Sequence, residues 1–202
     1  GEERSIPTAS IDDMVEGRSL MPKGLTRFLT RAELVDLVRF LSELGKPGEY
    51  AVRTAATMQR WRAMAPHDDL LTAGVPDSET FSEQVLSAAP AAWFPAYGMV
   101  SGWLPVAEIA QRLKGTVLYL RGDVDVTMAG KVAVKVQYDG PLTIWGGGEA
   151  FAGERQLELA LETGAHSVTL RIDTGGHEAK ELRLTLSKPS GSAAEFTVVD
   201  GR

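Results

Sequence analysis

The chain has 202 residues, with 21 lysines and arginines against 27 acidic residues, a net charge of -6 and 44% apolar residues. That composition is typical of a globular protein with a sizeable core, and the negative charge argues against nucleic acid or an anionic membrane as a partner, because such surfaces are bound through Lys and Arg. The chain has no cysteine, which excludes disulfides and thiolate metal sites, and no apolar stretch approaches the roughly 18 residues of a membrane span.

The first predicted element is an amphipathic helix between Leu29 and Gly45. The apolar residues that recur at helical spacing are Leu34, Leu37, Val38, Leu41 and Leu44. Thr30 followed by Glu33 is the pattern of a capping box, in which each residue satisfies a backbone N–H of the other. Gly45, just before Lys46-Pro47, suits the left-handed position that ends a helix. Both ends of this helix are therefore specified by the sequence.

The segment between Pro47 and Gly115 has a mixed pattern. The stretch from Val52 to Met64 fits either a strand or a helix, whereas Asp77 to Ala89 predicts a short helix. Residues Pro105 to Leu113 predict a further short helix, with proline at its start, where a missing N–H costs nothing.

From Thr116 onward the pattern predicts about seven short strands separated by Gly or Asp turns. The predicted strands are TVLYLRGDVDV, KVAVKVQY, LTIW, RQLELAL, HSVTLRID, ELRLTLS and AEFTVVD. Alternation places two sets of residues on core-facing sides: Val132, Val134 and Val136, and Val168, Leu170 and Ile172. We therefore predict an α+β protein: an N-terminal helical segment over residues 1–50, then a mostly antiparallel β-sandwich over 51–202 with short helices in its first half.

The stretch SLMPKGLTRFLTRAELVDLVRFLSELGKPG, from Ser19 to Gly48, resembles the closing part of a c-type cytochrome domain in large multidomain, sugar-dehydrogenase-like proteins. In such domains the second axial ligand of haem is commonly a Met on an extended loop before the last helix. Met21 occupies that position, so the resemblance implies that it could ligate haem c in the parent protein only. This chain lacks Cys-x-x-Cys-His, and we expect no cofactor in it. By the same resemblance, the parent would oxidise sugars or polyols in the periplasm or outside the cell.

Residues Tyr97 to Gly201 are similar, more distantly, to the β-module appended to those haem proteins and to lectin domains of the anthrax-protective-antigen type. The matching stretches are GMVSGWLPV, LYLRGDVDV, LTIWGGGEAF and GAHSVTLRID. In those lectins a pair of Asp residues holds the Ca²⁺ that binds sugar hydroxyls. Here Gly146, Gly147 and Gly148 follow Trp145 where a Trp-x-Asp-Gly turn is expected. We therefore expect no Ca²⁺ site and no other metal site.

Aromatic side chains could stack on a sugar ring, as they do in carbohydrate-binding β-sandwiches. The candidates are Trp61, Trp93, Phe94, Tyr97, Trp103 and Trp145. Most large aromatics in a sandwich fill the core, so the predicted ligand-binding set is limited to Trp145, Trp103, Trp93 and Tyr97. Trp145 leads this set, because the glycines after it should leave its surroundings open.

The polar residues predict no catalytic site. The cluster His67-Asp68-Asp69 lies in a loop flanked by proline, and neither His166 nor His177 has a ligand or base at a useful spacing. Asp123 and Asp125 share one strand face, and the triplet from Arg121 to Asp123 is an Arg-Gly-Asp sequence inside a predicted strand.

These observations give three functional hypotheses. The first is a non-enzymatic accessory module of a haem-binding electron-transfer protein, whose partners are the other domains of that protein, a glycan, or both. The alternative is a carbohydrate-binding β-sandwich, which would expose aromatic residues in a shallow groove. The third is an enzyme of unrecognised type, which would need a cluster of titratable groups in a cleft.

Overall fold

The computed structural model describes residues 24–43, 46, 56–176 and 180–199. The chain divides into two compact units, Gly1–Ala51 and Val52–Arg202. The predictions for Met21, Gly45 and His177 fall outside the described residues and stay predictions.

In the first unit, a 3-10 helix, Leu25–Phe28, precedes helix α1, Arg31–Glu43. The capping box is present as predicted. The Thr30 N–H donates to Glu33 Oε2 at 2.7 Å, and the Glu33 N–H donates to Thr30 Oγ1 at 3.2 Å. These hydrogen bonds from Thr30 hold the pKa of Glu33 below its usual value. The local sequence therefore sets where α1 begins.

The second unit is built from eleven strands in the part of the chain that the structure describes. They are β1 Ala56–Thr57, β2 Arg60–Met64, β3 Phe94–Tyr97, β4 Val117–Met128, β5 Gly130–Gln137, β6 Leu142–Gly146, β7 Glu149–Ala152, β8 Gln156–Leu161, β9 Gly164–Asp173, β10 Arg183–Ser187 and β11 Glu195–Val198. One sheet has the order β1-β10-β5-β8; the other has the order β3-β2-β4-β9-β6-β7, with β11 also paired to β4. All of these pairings are antiparallel. The α+β class with a β-sandwich-like arrangement is confirmed.

The helices of this unit lie in its first half. They are α2 Asp69–Thr72, α3 Ser78–Phe81, a π-helix Ser82–Leu86 that continues α3, a 3-10 helix Pro90–Ala92, and α4 Val106–Leu113. The predicted helices at 77–89 and 105–113 are present, and all seven predicted strands are present. The ambiguous stretch 52–64 contains β1 and β2, and the sequence pattern missed the short strands β3 and β7.

The main core lies between the two sheets. Both sets of alternating residues predicted to face it are buried, the Val132 set on β5 and the Val168 set on β9. A second, smaller core covers the opposite, outer face of the larger sheet, because Val117 and Tyr119 of β4 belong to it while Leu118 and Leu120 belong to the main core. We call it the outer cluster; its buried members are Met64, Leu71, Phe81, Val85, Val117, Tyr119 and Trp145. The segment from α2 to the π-helix therefore acts as a cover over part of that face.

The end of α2 is tied to the larger sheet by a buried arginine. Arg171 of β9 donates from Nη2 to the Thr72 carbonyl at 2.7 Å and from Nε to the Leu71 carbonyl at 3.3 Å. The Tyr119 hydroxyl also donates to the Leu71 carbonyl, at 3.1 Å, and burial raises the pKa of Tyr119. The last carbonyls of a helix have no partner within it, so these donors supply what α2 lacks.

The glycines after Trp145 form the turn between β6 and β7. Gly147 and Gly148 have φ values of +61° and +88° and join a hairpin closed by the pair Gly146 and Glu149. Two central residues with positive φ are what a tight two-residue turn requires. At Gly146 a side chain has no room, because an added Cβ would lie 2.5 Å from Cδ1 of Leu159. The glycine triplet is therefore explained by a turn and a close contact.

Asp77 caps α3, and we expect this cap to make the stability of α3 depend on pH. Asp77 Oδ1 accepts from the Thr80 N–H at 2.8 Å, and hydrogen bonds from Thr80 hold the pKa of Asp77 below 3.8. Because the pKa of Asp77 is lower in the folded than in the unfolded state, the ionised carboxylate stabilises α3 at any pH above the unfolded-state pKa. This stabilisation is lost as the pH falls through the folded-state pKa. We expect the Thr80 amide to lose protection from hydrogen exchange over that acid range.

An Asp77→Ser variant is the matched control, since serine caps a helix without titrating. Protection of Thr80 in this variant should depend less on pH than in the parent chain. An identical pH dependence in both proteins would show that Asp77 is not the responsible group.

Candidate functional site

The larger sheet carries a cleft of about 390 Å³ on its outer face, beside the outer cluster. We call it the arginine cleft; it is lined by Arg60, Trp61, Arg62, Ala88, Pro90, Trp93, Pro95, Arg121, Asp123 and Val199. Arg60 and Arg62 alternate along β2, so they share one face. Arg62 lies opposite Arg121 of β4 in the sheet register. The pairing of β2 with β4 therefore brings three guanidinium groups to one place.

One carboxylate lies among these arginines. Nη2 of Arg62 donates to both oxygens of Asp123, at 2.7 and 2.5 Å. Nε of Arg121 is 3.9 Å from Asp123 Oδ1, which is too long for a hydrogen bond. That Nε is buried and has no hydrogen-bond partner among the described residues. Asp123 is thus held by Arg62 and leaves a donor of Arg121 unsatisfied.

The cleft is positively charged in an acidic protein. Three arginines against one aspartate give its lining a formal charge of +2, whereas the whole chain carries -6. Burial lowers the pKa of Arg121, and the neighbouring charge of Arg62 lowers it further, while Asp123 acts in the opposite direction. Asp123 therefore offsets part of the effect that burial and Arg62 have on the charge of Arg121.

Apolar and aromatic residues also line the cleft. Pro90 and Ala88 come from the segment after the π-helix, and the half-buried Trp93 packs against the outer cluster while it lines the cleft. On β3, Tyr97 lies opposite Arg60 in the register and is 62% exposed. The structure thus places Trp93 in the cleft and Tyr97 on the strand beside it.

The other aromatic candidates are buried or lie outside the arginine cleft. Trp145 is only 6% exposed and stacks on Phe81, with ring centroids 4.4 Å apart and planes 8° apart. Trp145 and the glycines after it line a cleft, but the ring itself is buried, and a sugar could stack on the face that Phe81 covers only by displacing Phe81. Trp61 is 1% exposed, and Trp103 is half-buried beneath the guanidinium of Arg183, 4.8 Å from its ring centroid.

The polar candidates have mostly structural roles. Asp68 caps α2, because its Oδ1 accepts from the Leu70 N–H at 2.9 Å. No group of three or more metal-binding side chains occurs among the described residues. The Arg-Gly-Asp triplet lies within β4 rather than in an exposed loop. Asp125 is exposed on the same strand, but Asp123 alone lines the arginine cleft.

A second cleft, of about 600 Å³, lies near the β6–β7 turn. It is lined by Ser78, Phe81, Ser82, Leu86, Trp145, Gly146, Gly147, Gly148, Ala160, Leu161, Glu162, Ala165, His166, Ser167 and Thr169. The imidazole Nε2 of His166 is 2.7 Å from the Glu162 carbonyl oxygen, so this ring atom is engaged by the backbone. Its polar side chains are mostly small hydroxyl groups, and Glu162 is the one acidic or basic side chain in its lining apart from His166, whereas the arginine cleft has four charged side chains.

Sequence reasoning missed Arg60 and Arg62. The signal was present as Arg-Trp-Arg, in which two charges alternate with a core residue at the period of a strand. Their meeting with Arg121 depends on strand pairing, which that pattern does not give.

The chemistry of the arginine cleft favours binding. Among the described residues that line it, Asp123 is the one group that could act as a base, and its two oxygens are held by Arg62.

Comparison of the chain with protein-family models, curated proteins and solved structures gives no match. None of the described helices has the length and apolar character needed to cross a membrane.

Proposed function

We propose that the chain is a non-enzymatic accessory module of a haem-binding electron-transfer protein outside the cytoplasm, and that α1 docks it onto the haem domain. The observation that carries this proposal is the apolar surface of α1. The exposed apolar side chains on this helix are Leu34, Val35, Leu37, Val38, Phe40 and Leu41, and none of the residues of α1 is buried.

Such a helix gains from a partner. Isolated helices shorter than about 12–15 residues are marginal in water, and α1 has 13 residues. Most helical stability in proteins comes from burying an apolar face, at about 25 cal/mol for each Å² removed from water. The exposed residues of α1 therefore fit a surface that is covered by another domain.

The haem belongs to the partner in this proposal. The chain has no cysteine, so it has no residue for covalent attachment of haem c. Met21 would contribute at most one axial ligand, as the resemblance to cytochromes implies. The activity of the parent, oxidation of sugars or polyols, would be carried by its other domains.

The test is to measure binding between this chain and the separately produced c-type haem domain of the parent polypeptide. We expect a complex whose dissociation constant rises at least about tenfold in Val38→Asp, which corresponds to about 1.4 kcal/mol. A charge there would be buried without a partner. Isothermal titration calorimetry gives both constants.

Asp36→Asn is the control, because it also changes the charge by one unit but at a polar position of the same helix. Its dissociation constant should stay close to that of the parent chain. If the haem domain does not bind, or if both variants weaken binding equally, α1 is not the docking surface.

Carbohydrate binding by the β-sandwich is a second candidate function. It is favoured by Trp93, which lines the arginine cleft, and by the exposed Tyr97 on the adjacent strand. Aromatic faces combined with a few directed polar groups are typical of sugar sites. Trp145 and Trp103 do not contribute to this surface.

A further inference from the structure

We propose that the second cleft, near the β6–β7 turn, binds a small neutral sugar through hydroxyl side chains. The inference rests on the carbohydrate-binding candidate above, places the sugar in a different cleft from Trp93, and is independent of docking by α1. Three observations carry it: a buried threonine whose hydroxyl has no partner, three further hydroxyl groups in the same lining, and a lining with a single carboxylate.

Thr169 of β9 provides the most specific polar group in the second cleft. The residue is 1% exposed and lines the cleft, and its hydroxyl makes no hydrogen bond with any described residue. Among the described residues, Arg121 Nε is the one fully enclosed side-chain polar atom without a partner, so the Thr169 hydroxyl keeps some accessible surface at the cleft. Buried polar groups are almost always hydrogen-bonded, and a hydroxyl of a ligand can complete this one.

Three serines extend this polar surface. Ser167 lies two residues before Thr169 on β9, so the two side chains share one face of the larger sheet. Ser78 of α3 and Ser82 of the π-helix are four residues apart, which places them on one side of that segment. These three hydroxyls also make no hydrogen bond with a described residue. Each hydroxyl can donate and accept, as the hydroxyls of a sugar require of their partners.

The charge of the lining favours a neutral ligand. Among the described residues that line the second cleft, Glu162 is the one acidic side chain, and none is Lys or Arg. The His166 Nε2 lies 2.7 Å from the Glu162 carbonyl oxygen, which can only accept, so Nε2 donates and the neutral ring offers Nδ1 as an acceptor. An anion would therefore meet a carboxylate and no basic side chain apart from His166, in a chain of net charge -6.

The remaining lining suits the apolar C–H face of a ring. Leu86, at the end of the π-helix, is 42% exposed and lines the cleft together with Leu161 and Ala165. Apolar surface with a small number of placed polar groups is typical of small-molecule sites, and the volume of about 600 Å³ lies within their range. π-helices are rare and frequently occur at functional sites, and both Ser82 and Leu86 belong to this one.

The experiment titrates the full chain with disaccharides and follows binding by NMR and calorimetry. The neutral probes are maltose, cellobiose and lactose; a glucosamine dimer is the cationic probe, and a galacturonic acid dimer is the anionic one. We expect at least one neutral disaccharide to bind, with signals of β9, the β6–β7 turn and the π-helix shifting. Its dissociation constant should change less than about twofold between low and high salt, because no ion pair forms.

Thr169→Val removes the unpartnered hydroxyl and keeps the shape of the side chain. We expect it to weaken binding of the neutral sugar at least about tenfold. Its urea midpoint should stay the same or rise, because no hydrogen bond within the protein is lost. Thr143→Val is the matched control: it makes the same change at a position of the same sheet that is 3% exposed and does not line the cleft. It should change the dissociation constant less than about twofold.

The outcomes separate this inference from the proposed functions. Binding that is lost in Trp93→Ala but kept in Thr169→Val would overturn this inference and uphold carbohydrate binding at the arginine cleft. Tighter binding of a charged disaccharide than of every neutral one would overturn the neutral ligand, and equal effects of Thr169→Val and Thr143→Val would overturn the site. If no disaccharide binds, this inference and the carbohydrate candidate both fail, and docking by α1 is untouched.

Discussion

Replacing Trp145 with alanine should lower the free energy of unfolding by about 3–5 kcal/mol, the range for removing a large buried aromatic side chain. Trp145 stacks on Phe81 and also contacts Tyr119, with a ring-centroid distance of 6.1 Å. Its removal leaves a cavity between the larger sheet and the α2 to π-helix segment. Because the two partners come from separate elements, α3 and β4, the cavity cannot close without moving a helix or a strand.

Urea unfolding followed by far-ultraviolet circular dichroism measures this effect without depending on tryptophan fluorescence. Tyr97→Ala is the control, since this aromatic side chain is 62% exposed and its loss should change the free energy of unfolding by less than about 1 kcal/mol. A cost for Trp145→Ala as small as that of the control would mean that the outer cluster does not depend on Trp145.

Replacing Arg171 with methionine should lower the free energy of unfolding by about 2–4 kcal/mol, because hydrogen bonds from a charged donor contribute about 1.5–3 kcal/mol each and the second carbonyl keeps one partner. The change leaves the Thr72 carbonyl without the 2.7 Å hydrogen bond from Nη2. The Leu71 carbonyl still accepts from the Tyr119 hydroxyl. The loss should fall on α2 and its attachment to the sheet.

Hydrogen exchange should locate this loss at the α2 to π-helix segment rather than across the sandwich. The Tyr119→Phe variant provides a further check, because Arg171 and Tyr119 donate to the same Leu71 carbonyl. The double variant should therefore destabilise the protein by more than the sum of the two single variants. Additive effects would indicate that Arg171 and Tyr119 stabilise the attachment of α2 independently of each other.

Lys131→Met is the control for Arg171→Met, because it replaces an exposed cationic side chain with methionine. It should change the free energy of unfolding by less than about 0.5 kcal/mol.

Several features followed from local sequence. The start of α1 was predicted from Thr30 and Glu33, because a capping box needs only residues three apart. The core-facing valines of β5 were predicted because side chains alternate along any strand. The predicted helix at 105–113 is present, with Pro105 in the cap position before it.

Less of the candidate site could be predicted from the sequence. Trp93 and Tyr97 were among the predicted ligand-binding residues, but so was Trp145, which is buried. An aromatic residue beside glycines looks the same in sequence whether it lies on an open surface or beneath Phe81. What decides between these cases is a helix more than sixty residues earlier in the chain.

The sequence alone thus determined the helix start, the seven predicted strands and the α+β class, because these depend on backbone preferences and on periodicity within short segments. Only the tertiary structure decided that Arg62 lies opposite Arg121, that Arg121 Nε has no partner in the described chain, and that the outer cluster covers Trp145. The physical reason is that alternation fixes which residues of one strand share a face. Which strand lies beside it, and what covers that face, is set by long-range pairing and by the burial of apolar surface.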